Sequence, residues 1–224
     1  MEIVAPIFSF KVGSLIIDSD IVFQWVIIIF LGIMSYFLTR KLKAKPTKIQ
    51  VAIEYLYDLV SNVVKNNMGE SYISFVPYIG SLMIYLLVMN LIGLIGIMPP
   101  TRDLNVTFAL AFTSFVVIQY NAIKRNKFGG YLHGYAHPFA MMLPLNIMER
   151  VILPVSLALR LFGNMLAATI LVELVYEALG HVAMVAQIGL PIFVHAYFDV
   201  FDGAIQMIVF VMLTMINIKI TAEH

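Results

Sequence analysis

Cysteine is absent from the sequence, and charged side chains are scarce, because Asp, Glu, Lys and Arg together make up 12% of the chain. Without cysteine the protein has no disulfide framework, no thiol nucleophile and no thiolate metal site. Soluble domains usually carry about a quarter charged residues and under half apolar ones, whereas this chain is 61% apolar. The composition therefore predicts a protein of the lipid bilayer.

A pooled basic segment and a long polar interval are missing as well. The net charge is +1 and the basic residues stand at the ends of apolar segments, so we expect no nucleic-acid partner. No polar interval can bury a core of its own, and MEIVAPIFSFKVGSLIIDSD lacks the basic start of a cleavable signal peptide. We predict one membrane domain over 1–224, in which 1–20 is an external segment.

The first membrane-spanning helix is predicted over 21–40, where IVFQWVIIIFLGIMSYFL approaches the roughly 20 apolar residues that a crossing needs. Acidic residues precede this stretch. A basic cluster follows it and comprises Arg40, Lys41, Lys43, Lys45 and Lys48. Because cytoplasmic loops carry an excess of Lys and Arg, we predict an external N-terminus and a cytoplasmic end of this helix.

The segment 46–67 shows one apolar and one polar face at helical spacing. Thr47 and Gln50 resemble a capping box at its start. The apolar face comprises Ile49, Ala52, Ile53, Leu56, Val60, Val63 and Val64, and the polar face comprises Gln50, Glu54, Asp58, Ser61 and Lys65. Beside a membrane span, this pattern favours a helix that lies in the cytoplasmic interface. A helix packed on a soluble partner shows the same pattern.

Two further crossings are predicted within 79–124. The first ends at a pair of prolines followed by a short external turn, and the second ends on the basic run KRNK, again at the cytoplasmic face.

The Gly-, Pro- and aromatic-rich stretch FGGYLHGYAHPFAMMLPLN is predicted to be a loop or a re-entrant segment. It contains His133 and His137, but no third ligand stands nearby, so we predict no metal site.

The last two predicted helices, within 146–221, are longer than a membrane requires. From Asn146 to about Leu179 an α-helix extends about 50 Å, against roughly 30 Å of hydrocarbon. Such helices must tilt, kink or run past the bilayer. Lys219 near the end of the second helix predicts a cytoplasmic C-terminus. The predicted fold is an all-α integral membrane protein with about five transmembrane helices, one amphipathic interfacial helix and a final long tilted hairpin.

Polar residues inside this hairpin fall into three groups by helical spacing. One face of the first helix carries Glu149, Ser156, Arg160 and Asn164. Nearer the external end of the same helix, Glu173 and Glu177 form a separate i, i+4 pair. On the second helix, a polar stripe comprises His195, Asp199, Asp202 and Gln206. Arg160 is the costly member, since a guanidinium at the centre of a membrane helix costs about 2.5–3.5 kcal/mol. The groups predict two polar half-paths separated by a fixed cation, as an ion-translocating unit that does not leak requires.

Other interpretations use the same residues. Arg160 could form a structural ion pair with Asp199 or Asp202, because buried charges are normally paired, which would make the chain a purely structural subunit. However, five acids, a histidine and a glutamine on two helices exceed what one arginine neutralises, which favours function. A self-contained transporter or channel could use Arg160 as an anion site, but the sequence lacks the internal repeats typical of such carriers.

The stretch PVSLALRLFGNM, Pro154 to Met165, closely resembles the signature of subunit a of F-type rotary ATP synthases, and the likeness covers essentially the whole chain. The resemblance implies a non-catalytic stator subunit whose hairpin faces the ring of c subunits. Two offset half-channels would couple H+ or Na+ flow to ring rotation and ATP synthesis. It also implies the c-ring, the b-subunit peripheral stalk, other ATP synthase subunits and lipid as partners, a cell-membrane location, and no cofactor.

Carried over residue by residue, the resemblance places Arg160 at the family's essential arginine. Asn164 matches the asparagine of the same motif, and Gln206 matches the last-helix glutamine. Asp199 stands where the family usually has glutamate or histidine. Thr169 departs from the family, which commonly has an acid or a histidine at that position.

A second departure lies near the predicted cytoplasmic entrance. Asn146 stands where the family often has glutamate, and Glu149, on the Arg160 face, is expected to substitute for it. The residues that could take the role missing at Thr169 are Asp202, His195, Glu173 and Glu177. Ion selectivity is expected to depend mainly on the rotor chain.

Overall fold

The structure, a computed structural model, describes residues 9–12, 15–40, 42, 46–95, 99–135, 143–182, 194 and 196–223. The described chain begins with an antiparallel hairpin of two short strands, β1 (Ser9–Val12) and β2 (Leu15–Asp18), in which Ser9 pairs with Asp18. The sequence analysis did not predict these strands. The rest of the described chain is organised by helices.

Six α-helices are described, joined by shorter helical segments. The α-helices are α1 (Ser19–Thr39), α2 (Lys48–Met68), α3 (Val76–Leu91), α4 (Leu104–Tyr135), α5 (Leu143–Val182) and α6 (Gly203–Glu223). The shorter segments are the 3₁₀-helices Glu70–Phe75, Ile92–Ile95 and Pro100–Arg102 and the π-helix Ala196–Asp202. Five stretches are long and apolar enough to cross a membrane: Ile21–Thr39, Glu70–Leu94, Leu104–Lys127, Leu143–Gly180 and Tyr197–Ala222. The predicted fold class is confirmed.

The helix outside these five spans is α2, and it begins as its capping pattern predicts. The Thr47 hydroxyl accepts a hydrogen bond from the backbone N–H of Gln50 at 3.4 Å. Its C-terminal half packs on α3 and α6 through Val60, Val64 and Met68. The predicted apolar face also includes residues that the chain leaves exposed, with Ile49 64% exposed. The first half of α2 therefore keeps an apolar surface outside the bundle.

The core of the bundle lies among α3, α4, α5 and α6. It is built from aliphatic residues at helical spacing, and its most deeply buried members include Ile79, Leu86, Ala111, Ile118, Leu161, Met215 and Ile218. In contrast, α1 stands at the edge of the bundle, where it packs on α3 and its candidate span is 6% buried. α4 is the central helix, because it contacts both α5 and α6 more extensively than these two contact each other.

The basic end of the third predicted span holds a structural contact. Arg125 donates a hydrogen bond from Nη2 to the carbonyl oxygen of Ser71 at 3.1 Å, and its guanidinium lies 4.0 Å from the centre of the Tyr72 ring. The next basic residue, Lys127, leaves helical geometry (φ 56°, ψ 159°). The backbone then returns to helix as far as Tyr135, so the loop predicted over this stretch is helical in its first part. Residues 136–142, which include His137, lie outside the described residues.

The final hairpin differs in detail from two uninterrupted α-helices. α5 is continuous over 40 residues and contains Pro154; at 1.5 Å per residue it is about 60 Å long. The start of the second helix is π-helical over 196–202 and becomes α-helical only at Gly203. Residues 183–193 and His195 lie outside the described residues.

Gly203 lies where the π-helix meets α6, and a side chain there would collide with α3. A Cβ atom at position 203 would lie 2.9 Å from Cβ of Asn90. Inserting a methylene into a packed core typically costs about 1–3 kcal/mol. We therefore expect Gly203→Ala to lower the yield of folded subunit and the midpoint of its thermal unfolding in detergent.

The matched control is Gly80→Ala within α3. A Cβ atom there would lie 3.5 Å from Cγ1 of Val60, an ordinary van der Waals contact. Equal midpoints for the Gly203 variant and the Gly80 variant would contradict the packing described here.

Candidate functional site

α5 has one buried and one exposed face. The buried face, which packs mainly on α4, comprises Leu157, Ala158, Leu161, Met165 and Ala168. The exposed face comprises the predicted site residues Glu149, Ser156, Arg160 and Asn164. At about 100° per residue, the exposed set lies within about 40° of Arg160 around the helix axis, whereas the buried set is centred roughly 110° away.

The guanidinium of Arg160 has an unusual environment. It is exposed beside the apolar side chains of Leu159, which is 52% exposed, and Val155, which is 39% exposed, and it shares its face with the polar residues Ser156 and Asn164. Within the described part of the chain, Arg160 has no hydrogen bond or ion pair, so none joins it to Asp199 or Asp202. The arrangement leaves a fixed positive charge on the exposed face of α5, available to an anionic group from outside the described chain.

The three polar side chains further along α5 differ in exposure. Glu177 is exposed, whereas Glu173 and Thr169 are half-buried. The Thr169 hydroxyl donates a hydrogen bond to the Met165 carbonyl oxygen at 2.9 Å, one turn earlier on the same helix. This bond engages the one hydroxyl proton of the Thr169 side chain within its own helix.

The predicted stripe on the second helix is turned into the bundle. Asp199 is 8% exposed and Gln206 is 7% exposed, and Asp202 is half-buried. Both aspartates lie on the π-helix Ala196–Asp202, which packs on α3 and on the 3₁₀-helix Ile92–Ile95. π-Helical turns are rare and occur frequently at functional sites. The structure therefore places Gln206 and Asp199 in the interior and Arg160 on the outer surface of the bundle.

Next to this stripe lies a buried polar cluster contributed by α3 and the turn after it. Asn90 is 1% exposed, Thr101 is 1% exposed and Arg102 is 5% exposed. Asn90 donates from Nδ2 to the carbonyl oxygen of Gly203 at 3.0 Å, and the Thr101 hydroxyl donates to Oδ1 of Asn90 at 3.3 Å. These bonds tie the end of α3, the turn and the start of α6 together.

The opposite end of the bundle is joined by different contacts. Arg150, which is half-buried on α5, donates from Nη1 to the hydroxyl of Thr221 on α6. Asn121 on α4 donates from Nδ2 to the carbonyl oxygen of Ile218 at 3.4 Å. Glu149, the neighbour of Arg150, stays exposed. A carboxylate thus lies at the surface at this end, while the two aspartates of the π-helix lie at the other.

Comparison with known proteins decides which family these features belong to. The family described as "ATP synthase A chain" matches residues 21–219. The chain belongs to this family. Its expected relationship to subunit a, based on the stretch Pro154 to Met165, is thereby confirmed.

Individual relatives align over nearly the whole chain. An ATP synthase subunit a from Trichlorobacter lovleyi is 36% identical over 226 residues, which cover 96% of this chain and 94% of the relative. One from Moorella thermoacetica is 31% identical, covering 96% of this chain and 95% of the relative. The protein "ATP synthase subunit a, sodium ion specific" from Propionigenium modestum is 28% identical, covering 98% of this chain and 77% of the relative. As a member of the subunit a family, the chain is an ion-translocating membrane subunit of an ATP synthase.

Sequence reasoning missed the buried cluster at the start of α6. Asn90 offered a signal, because it is the only carboxamide in the second predicted span, whereas Thr101 and Arg102 were assigned to a short external turn. The turn is buried because it packs against α5 and α4. Spacing along the chain does not reveal this contact, since Asn90 and Gly203 are 113 residues apart.

The hydrogen bonds of Asn90 are expected to stabilise the start of α6. Asn90→Ala removes two buried hydrogen bonds, one to the Gly203 carbonyl oxygen and one from the Thr101 hydroxyl. Each buried polar group left without a partner lowers the stability of the fold by about 1–3 kcal/mol. We expect faster hydrogen exchange of the backbone amides at 100–107 and 203–207 in the purified protein. The control is Asn105→Ala, because Asn105 is exposed; equal exchange in the two variants would argue against this role.

Proposed function

We propose that Arg160 presents its fixed positive charge to the membrane carboxylates of a rotor ring of c subunits. The observation that carries this proposal is an exposed guanidinium beside the exposed apolar side chains of Val155 and Leu159, without a hydrogen-bond or ion-pair partner among the described residues. Such a charge is too costly to leave in hydrocarbon. An ionised rotor carboxylate in lipid is also unfavourable, since a bare charge there costs desolvation free energy. Bringing the two together removes both costs.

The proposed mechanism follows from this pairing. Beside Arg160, the ionised form of a rotor carboxylate is favoured, so the carboxylate releases its ion. Away from Arg160, the carboxylate must be neutral, either protonated or ion-bound, before it can enter lipid. The arginine therefore also prevents an ion from passing straight between two access paths. Asn164 and Ser156, one turn on either side of Arg160, are proposed to hydrogen-bond the rotor carboxylate as it passes.

We propose that ions enter through the polar region around the start of α6. This region, here called the inlet, comprises Asn90, Thr101, Arg102, Asp199, Asp202 and Gln206. Its support is the concentration of buried polar groups, because such groups inside a membrane bundle usually mark ion pathways. Glu173, Glu177 and His195 are candidates for its entrance on the basis of their positions along the chain.

We propose that ions leave at the opposite end, where Glu149 is exposed on the same face of α5 as Arg160. The basic residues that follow α1, those at the end of the span Leu104–Lys127 and Lys219 near the end of α6 support a cytoplasmic location for this end. The N-terminus would then be external and the C-terminus cytoplasmic, in the cell membrane. One elementary charge moved through 100 mV provides about 2.3 kcal/mol, so several ions per ATP can drive synthesis.

The chain's partners are other subunits of the ATP synthase. In this proposal they include the c-ring on the exposed face of α5 and the b-subunit of the peripheral stalk, which holds the chain against rotation. The chain itself would be non-catalytic, because its polar groups are arranged for ion transfer and the phosphate chemistry would occur in other subunits.

The proposal is tested by Arg160→Ala in the assembled ATP synthase. Without the guanidinium, no charge favours release of the ion from the rotor carboxylate. We expect assembled complex with ion-driven ATP synthesis reduced by at least about 100-fold, the scale expected when one preorganised charge interaction is removed. Synthesis is measured in membrane vesicles under an imposed ion gradient.

The matched control removes another exposed arginine. Arg40 lies just after α1, where its guanidinium is 5.7 Å from the ring centre of Tyr36. Arg40→Ala is expected to keep synthesis within about twofold of the unmodified complex, because exposed contacts of this kind are worth about 0.5–1 kcal/mol. A normal rate in assembled Arg160→Ala complex would refute the proposed role of Arg160.

A further inference from the structure

Gly93 lies against the carboxyl group of Asp199. It is buried in the 3₁₀-helix Ile92–Ile95, directly after α3. A Cβ atom at position 93 would lie 2.9 Å from each of Cγ, Oδ1 and Oδ2 of Asp199. Every other residue has a Cβ atom, so only glycine leaves the whole of this volume to the carboxyl group.

The backbones on both sides of this contact are held in place. Asn90, three residues before Gly93, donates a hydrogen bond to the carbonyl oxygen of Gly203, four residues after Asp199, at 3.0 Å. The backbones are also close together here, since a Cβ atom on Gly203 would lie 2.9 Å from Cβ of Asn90. The two segments therefore cannot separate cheaply, and a side chain at position 93 must displace the Asp199 carboxyl group instead.

We propose that Gly93 is a positioning residue of the inlet, where its missing side chain sets the place of the Asp199 carboxylate. The inference rests on the proposed function, which gives Asp199 a role in ion entry. The Asp199 carboxylate lies between the 3₁₀-helix Ile92–Ile95 and the π-helix. It can occupy this volume because Gly93 has no side chain.

The first test is Gly93→Ala in the assembled ATP synthase. We expect normal assembly and ion-driven ATP synthesis reduced by roughly tenfold or more, because a displacement of about 1 Å at a reacting group can lower a rate on the order of 100-fold. Gly80→Ala is the matched control, since its Cβ atom makes only an ordinary contact with Val60. An unchanged rate in Gly93→Ala overturns the proposal.

The second test transfers the carboxylate from position 199 to position 93. Gly93→Asp combined with Asp199→Ala places a carboxylate in the same volume from the opposite side. We expect this double variant to synthesise ATP at least about threefold faster than Asp199→Ala alone, because it restores a carboxylate near the original place. A merely structural role of Gly93 predicts no such rescue, so its absence overturns the proposal.

Assembly is examined separately, in case Gly93→Ala disrupts the fold. In Gly93→Ala/Asp199→Ala the displaced carboxyl group is gone, and the added methyl group has room. We expect this variant to assemble as well as Asp199→Ala alone. If it assembles less, the methyl group collides with something other than the carboxylate, and the proposal is wrong.

Asp199→Asn separates failure of the inference from failure of the proposed function, because the variant keeps the shape and removes the charge. A normal synthesis rate in Asp199→Asn shows that Asp199 has no role in ion entry, which overturns both the inlet assignment of Asp199 and the inference about Gly93. A reduced rate in Asp199→Asn together with a normal rate in Gly93→Ala overturns the inference about Gly93 alone. Reduced rates in both variants, with rescue by the transplanted carboxylate, support both.

Discussion

A guanidinium surrounded by hydrocarbon costs about 2.5–3.5 kcal/mol on insertion scales, and the arrangement of α5 depends on this constraint. The helix buries Leu157, Leu161 and Met165 in the bundle and leaves Arg160 on its exposed face. Because no described residue neutralises Arg160, the compensation must come from outside the described chain. The proposed rotor carboxylate has the same need, since it too is costly as a bare charge in lipid. The same desolvation cost thus accounts for the exposed arginine and for its proposed partner.

Asn90 and Thr101, near the start of α6, are buried polar residues whose side chains bond to other parts of the chain. Asn90 links Thr101 to the Gly203 carbonyl oxygen, and the Asp199 carboxyl group fills the space that Gly93 leaves. Hydrogen-bonded groups in a low-dielectric interior hold one geometry more strictly than groups in water. Rigid placement of this kind suits an ion pathway, because the ion is stabilised by groups that need no rearrangement as it passes.

Sequence reasoning predicted those features that follow from periodicity. The number of spans, the Thr47 cap and the common face of Ser156, Arg160 and Asn164 all follow from hydropathy and the 3.6-residue repeat, and the structure has them. Contacts between segments that are distant in the sequence could not be predicted in this way. No sequence pattern indicates that Gly93 lies against Asp199. The π-helical turns were missed because an α-helical repeat was assumed throughout. In α2, periodicity identified an apolar face, but tertiary packing decided which part of that face is buried.

The central claim, that the Arg160 face of α5 meets the rotor carboxylate, is tested most directly by disulfide cross-linking. The chain contains no cysteine, so Asn164→Cys introduces a single thiol one turn from Arg160. It is paired with a cysteine placed beside the rotor carboxylate, and Ile29→Cys on α1, where the side chain is 54% exposed, serves as the control. The account predicts a cross-linked product between the two subunits from Asn164→Cys and none from Ile29→Cys. Absence of the product from Asn164→Cys in assembled complex, with or without one from Ile29→Cys, would contradict it.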